Sequence, residues 1–509
     1  MTTTIPHVTA LYEWAARVPV ALHRASLLYQ GEPLAAAVGL ITAGLGRPYL
    51  LYERAGVLHV AAGSAAELRA TGTQVAAEAA RSSWTVPAAG NPLGRIAEAF
   101  RALRERQPDG RRAYGWAAFE LAYLVHGLER LSGQEDELIH LFVPSVDVAL
   151  SPGRATVEAV TEDWQRKAMS LLSSVTTADT TRGQADDDAT AEDTHGYRAA
   201  VAAAVADIQA DLLDKVVLSR PVALTGAPVD LPATYLAARR ANTPARSFLL
   251  DLGHWQAAGV SPETVIEADH GGRVTTQPLA GTRALGPDPA ANHRLRRELL
   301  ADPKEVHEHA ISVLLARQEL ASVCRPDSVV VEEFMEVKER GSVQHLGSRV
   351  AGLLRDDRGP WDAFGALFPA VTATGAPKRE ALAALARYEQ GPRGLYGGAV
   401  IMADTQGELD ATLVLRTVFR RDGRTWLRAG AGVTTESKPD REFEETMEKL
   451  RSVAPYLRRP KCLPSFRPKA RCRTRSGAVG AYGASLLPRI AVRGVPPARM
   501  RAVPSFDGD

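Results

Sequence analysis

The stretch GLYGGAVIMADTQGELDATLVLRTVFRRDGRTWLRAGAGV, Gly394 to Val433, decides the fold. Its apolar runs follow one another with only short turns between them, at Gly407 and at Asp422-Gly423, which is hairpin punctuation. Such spacing predicts antiparallel pairing, because a parallel neighbour needs a crossover of a dozen residues or more. Further strand-like runs lie upstream: PYLLYER, VLHVAAG, LFVPSVDVAL, SFLLDLG, RVTTQPLA, SVVVEEFMEV and HLGSRVAGLL. Between them GNPLGRIAEAFRALRER, YRAAVAAAVADIQADLLDK and PKEVHEHAISVLLARQELASVC carry helical periodicity. The pattern predicts an α+β protein, large antiparallel sheets with helices packed on them, rather than a βαβ repeat.

Residues 1–172 form an N-terminal part and 196–459 a second part. Between them Ser173–His195 holds six acids, one Arg and hardly any large apolar residue, so it reads as an exposed loop or linker. Residues 460–509 are rich in Pro, Gly and Arg, with ten Lys/Arg against two acids, and read as a disordered basic tail.

A length of 509 residues suggests roughly three domains. A net charge of +2 gives no reason to expect nucleic acid or an anionic membrane as partner. Three cysteines without zinc spacing argue against a disulfide framework and for a reducing, cytoplasmic setting. No signal-peptide pattern opens the chain, and the longest apolar stretch, from Leu34, is too short to span a bilayer. GxxxxGK[ST], a complete GxGxxG, HExxH and GxSxG are all missing, which removes the common phosphate, zincin and serine-hydrolase readings.

Two carboxylate pairs remain, Glu305 with Glu308 and Glu442 with Glu445, each at i, i+3 and so along one helical stripe. Lys449 continues the second stripe. On spacing alone these are either solvated surface or two halves of an all-oxygen site suited to Mg²⁺. Lys215, in the apolar run KVVLSR, is either at an exposed edge or held desolvated, where burial could make it a base. Glu263 in SPE is an N-cap carboxylate or a proton donor. Gly281 and Thr282 in PLAGTR mark a turn that lets backbone approach a ligand. Arg416 interrupts an apolar strand, as a carboxylate clamp or as a structural ion pair.

KVVLSR, SPE, QPLAGTR, KEVHEH, RGSVQHLGS, FPAVTATGAPK, RGLYGGAV, LVLRT, GAGV and REFEETMEKL occur in an order that resembles the chorismate-utilising enzymes, most closely the salicylate synthases of siderophore pathways. The likeness is strong from about Asp214 to Tyr456. It implies one large domain of two packed antiparallel β-sheets with helices outside, in place of three domains. It also implies that Glu308 and Glu445 ligate Mg²⁺, with Glu305 and Glu442 beside them. Gly281, Thr282 and the backbone of Gly430, Ala431 and Gly432 would line chorismate, Tyr396 and Arg416 would bind its enolpyruvyl carboxylate, and Lys449 would lie near acid and metal. Lys215 would activate water, Glu263 would protonate the departing hydroxyl, and His345 would position the substrate for loss of pyruvate. The resemblance implies chorismate and isochorismate as ligands, no nucleic-acid or membrane partner, and a monomer. Isochorismate synthase and, less closely, anthranilate synthase component I are the alternatives. Relatives that use ammonia carry an uncharged residue in place of Lys215. Val260 stands where related salicylate synthases often have an aromatic residue, which would alter the pocket.

Overall fold

Every strand ladder in the computed structural model is antiparallel, as the hairpin signals require. The structure describes residues 5–459 apart from 21, 81, 89, 108–109, 132–135, 175–192, 194–195 and 342. The basic tail and most of the acidic loop therefore lie outside the described residues. Of that loop, Ser173 and Ser174 close the helix Glu162–Ser174. The Asp193 carboxylate accepts from the N–H groups of Tyr197 and Arg198, satisfying free donors where the helix Tyr197–Gln209 begins.

Two hairpins come directly from the opening stretch. Ala399–Asp404 pairs with Leu409–Leu413 around Gly407, and Thr417–Arg421 pairs with Arg424–Val433 around Asp422 and Gly423. Asp422 and Gly423 have φ of +50° and +75°, the left-handed pair that a tight hairpin turn demands.

The strands make two sheets that share one long pair, Val57–Ala70 with Ile139–Ser151, whose register shifts between Ser64 and Ala66. From one half of that pair the first sheet runs through Tyr49–Arg54, Arg246–Leu252, Trp255–Ser261, Thr417–Arg421 and Arg424–Val433 to Lys215–Ala223. From the other half the second sheet runs through Arg112–Ala117, Ala399–Asp404, Leu409–Leu413, Thr264–Ala268 and Arg273–Thr276 to Val343–Leu353. Lys215 and His345 thus stand on strands far along two different sheets.

Period-two alternation sorts the side chains into layers. Leu50, Tyr52, Phe248 and Leu250 of the first sheet meet Tyr114, Trp116, Val400 and Met402 of the second. Their neighbours Tyr49, Leu51 and Leu249 face the other way, onto the helices Pro33–Thr42 and Leu231–Ala241. Ala399 and Ile401 face the helices Pro92–Arg106 and Pro360–Leu367. Each large side chain in the inter-sheet layer contributes roughly 1.5–3 kcal/mol of burial. A charge at Val400 would therefore be buried without a partner and break the seam.

The described residues hold together as one unit, which replaces the length-based reading of three domains. No helix among the described residues is long and apolar enough to cross a membrane.

Candidate active site

One cavity gathers most of the singled-out residues: Lys215, Glu263, Gly281, Thr282, Glu305, Glu308, His345, Tyr396, Arg416, Gly430, Gly432, Glu445 and Lys449 all line it. Ala431 and Glu442 do not. Ala431 lies between Gly430 and Gly432 on one strand, so its buried side chain points to the opposite sheet face and only its backbone is near. Val260 packs into the outer core among Leu249 and Tyr235, so it does not shape the cavity.

Lys215 is not on an exposed edge. Its strand is paired on both sides, with Arg424–Val433 and with Gly375–Ala376, and the residue is 1% exposed. Nor is it simply desolvated, because Nζ lies 2.7 Å from Glu308 Oε1. Gly432 makes this approach possible: a Cβ there would stand 2.6 Å from Glu308 Oε1 and 3.2 Å from Lys215 Cε. Burial pushes the Glu308 carboxyl up, but the charge and hydrogen bond of Lys215, with Lys449 and Lys304, outweigh it and hold it below the ordinary carboxylate range.

Glu263 is 3% exposed and accepts a 2.6 Å hydrogen bond from Thr372 Oγ1. Burial pushes its carboxyl up to about 8, against the opposing pull of Thr372, the Leu279 N–H, Lys215 and Lys449. At neutral pH this group is an acid with a proton to give. Thr372 belongs to FPAVTATGAPK, but no spacing rule marks it as a partner of Glu263.

His345 has a definite tautomer. Its Nε2 lies 2.7 Å from Arg416 Nη2, and a guanidinium can only donate, so Nε2 carries the lone pair. Nδ1 then bears the hydrogen, facing Thr282 Oγ1 at 3.1 Å and Gly281 O at 3.3 Å. Burial, with Arg416 and Lys449 nearby, holds the imidazole well below its ordinary value and keeps it neutral. Arg416 itself sits at φ +49° and has no carboxylate within 4.0 Å among the described residues. Burial and the nearby Arg340 lower its guanidinium to about 10. Among the described residues the structural ion pair is thereby excluded, and a half-buried cation facing a cavity is left to receive an anion. Arg428, a further cavity residue that spacing did not single out, is already paired with Glu389.

The two helices with carboxylate pairs, Pro303–Ala321 and Pro439–Leu450, do converge, since Lys304 of the first lies 3.5 Å from Glu442 Oε1 of the second. His307 and His309 point to different sides, exposed and buried, as their spacing demands. Each carboxylate meets a base: Glu308 with Lys215, Glu445 with Lys449 at 2.8 Å, Glu305 with Arg283 at 3.0 Å, and Glu442 with Lys304. The bases do not fully satisfy them. Glu442 is wholly buried and its Oε2 has no hydrogen-bond partner. Burial and Glu445 push Glu442 up, while burial and Glu308 push Glu305 up. Hard oxygen donors, mutual repulsion and an orphaned buried oxygen are what a divalent cation would relieve, so the residues fit Mg²⁺. A tighter group of possible ligands, His270, Asp404 and Glu408, lies within 4.8 Å at the surface. There, however, Asp404 Oδ1 is engaged by the N–H groups of Gln406 and Glu408, and Glu408 pairs with Arg54.

Residues 47–455 match the family model described as chorismate binding enzyme. The chain belongs to that family. It is 43% identical over 419 residues to a salicylate synthase of Mycolicibacterium paratuberculosis, covering 81% of this chain and 90% of that protein. Anthranilate synthase component 1 of Streptomyces coelicolor is 42% identical, over 48% of this chain and 46% of its own length. The fold is shared with the menaquinone-specific isochorismate synthase of Escherichia coli, at a TM-score of 0.65, 21% identity, and 88% and 99% of the two chains. It is shared too with anthranilate synthase component I of Streptococcus pneumoniae, at a TM-score of 0.65, 24% identity, and 79% and 92% coverage. The protein is thus a chorismate-utilising enzyme with the α+β fold of that family.

Proposed function

We propose that this enzyme is a Mg²⁺-dependent salicylate synthase, converting chorismate through isochorismate to salicylate and pyruvate, in a cytoplasmic siderophore pathway. The observation that carries the reading is the pair Lys215 and Glu263, both buried and lining one cavity, with Glu263 protonated at neutral pH. In the first step water attacks ring C2 and gives its proton to Lys215, while Glu263 protonates the C4 hydroxyl, which leaves as water. For Lys215 to accept a proton, Glu308 must be drawn away from Nζ in the loaded site. In the second step the C3–O bond to the enolpyruvyl group breaks as hydrogen moves from C2 to the enolpyruvyl methylene carbon. Pyruvate departs and the ring becomes aromatic. This step needs positioning rather than another acid or base.

Glu308 and Glu445 would hold Mg²⁺, with Glu305 and Glu442 beside them. When bound, the ion would offset the carboxylates and receive the ring carboxylate of chorismate. Arg416, which has no carboxylate partner among the described residues, would take the enolpyruvyl carboxylate, with Tyr396 beside it. His345, neutral and fixed by Thr282 and Gly281, orients that guanidinium. Gly281, Thr282 and the Gly430–Gly432 backbone would line the ring, with Lys449 on the side of the acid and the ion. The lysine at 215 supports water as nucleophile, and so salicylate over anthranilate. Incubation with chorismate and Mg²⁺ tests the reading: salicylate and pyruvate are expected in equal amounts, and isochorismate accumulating without pyruvate would replace it with an isochorismate synthase.

A further inference from the structure

We infer that Arg393 is a positioning residue that fixes Lys215 and Glu263 relative to each other, an inference resting on the chorismate-to-salicylate reading above. Arg393 is 4% exposed and does not line the cavity. Its guanidinium nevertheless joins the strand that carries the proposed base to the short helix Val371–Thr374, whose Thr372 holds the proposed acid. Nη2 donates to Val217 O at 2.6 Å, two residues along the strand from Lys215. Nη1 donates to Ala373 O at 2.6 Å, next to the Thr372 whose hydroxyl holds Glu263. Nε and Nη2 also grip Glu389, at 2.8 and 2.6 Å.

Glu389 extends the clamp. Its Oε1 accepts from Ser219 N and Oγ on the Lys215 strand, and its Oε2 from Arg428, which lines the cavity. Burial pushes the Glu389 carboxyl up, but Arg393 and Arg428 outweigh it and bring it to about 2. The clamp is therefore charged and rigid. Its other face is closed by Phe119, whose ring centroid lies 4.4 Å from the guanidinium. The main chain sews the same elements together at Gly375 and Ala376, which pair with Val216 and Lys215.

Lysine cannot replace this arginine, because one ammonium cannot span two carbonyls on separate elements while holding a carboxylate. Acid–base chemistry belongs to the first step and mere positioning of the enolpyruvyl group to the second. A disturbed clamp should therefore damage the two steps unequally.

The test compares wild type and Arg393→Lys with chorismate or isochorismate as the starting substrate, both with Mg²⁺. With chorismate we expect kcat to fall about 10- to 100-fold, the loss typical of a misplacement near 1 Å. KM for chorismate, and kcat from isochorismate to salicylate, should stay within about threefold. Glu389→Gln is the second variant. It keeps the shape and loosens Arg393, and should show a weaker split in the same direction. An equal loss from both substrates, wild-type rates from both, or failure of both variants to fold would overturn the inference. A wild type that makes no salicylate from either substrate would instead overturn the functional reading on which it rests.

Discussion

Arg416 donates from Nη2 to Nε2 of His345 across 2.7 Å, and this bond fixes both side chains. It assigns the imidazole tautomer and leaves, at the cavity wall, a guanidinium without a carboxylate partner among the described residues. In the proposed reaction a carboxylate of chorismate would supply what is lacking. Arg416→Ala should raise KM for chorismate by about 10- to 100-fold, a loss of about 1.4–2.8 kcal/mol, while the fold persists. Steady-state kinetics beside a thermal melt check this; an unchanged KM would remove Arg416 from the substrate.

Glu263 gives a pH signature. Its carboxyl, pushed up to about 8, must be protonated to act, so kcat from chorismate should fall above about pH 8 with the slope of one proton. The stability sign runs the same way. Between the ordinary carboxylate value and about 8 the folded state holds a proton that the unfolded chain releases, so the stability present below this window is lost as pH rises through it. Glu263→Gln should abolish turnover yet narrow or reverse any stability deficit to wild type between pH 5 and pH 8, read from paired melts.

Gly432 is needed for space, not for backbone freedom. A methyl group there would meet Glu308 Oε1 at 2.6 Å. Gly432→Ala should cost about 1–3 kcal/mol of stability by overpacking. It should also depress turnover at least about tenfold by displacing the Glu308 carboxylate, a proposed ligand of the ion. Denaturant unfolding and kinetics measured together would show whether the two losses occur in one variant.

Glu445→Ala should abolish Mg²⁺-dependent turnover without unfolding the protein, because Glu445 is partly exposed and its partner Lys449 retains a bond to Gly430 O. Calorimetric titration with Mg²⁺ gives a readout apart from activity: binding should weaken by at least about tenfold. Wild-type turnover in this variant would remove the metal assignment.

Much of this was legible in the residues themselves. The turns at Gly407 and Asp422-Gly423 announced antiparallel hairpins because their backbone conformation admits few other residues. The i, i+3 spacing placed each glutamate pair on one stripe, and Asp440, Glu444 and Glu448 do face outward, paired with Arg198, Arg451 and Arg441. What spacing could not carry was meeting in space. Nothing local says that the strand of Lys215 and the strand of His345 reach one cavity from two sheets, or that Lys304 touches Glu442. Alternation, which is local, turns the Ala431 side chain away from the cavity and leaves only its backbone near, as the sequence reading has it. Thr372 and Arg393 act through hydrogen bonds to residues 109 and 176 positions away, and no periodicity records such partners.

In the proposed reaction water, not ammonia, adds to C2 at Lys215 and the product goes on to lose pyruvate. Turnover of chorismate with Mg²⁺ in ¹⁸O-labelled water measures both at once by mass spectrometry of the product. Salicylate carrying one ¹⁸O at its phenolic oxygen is expected, with an equal amount of pyruvate. Unlabelled salicylate, labelled isochorismate without pyruvate, or anthranilate formed on adding ammonium would contradict it.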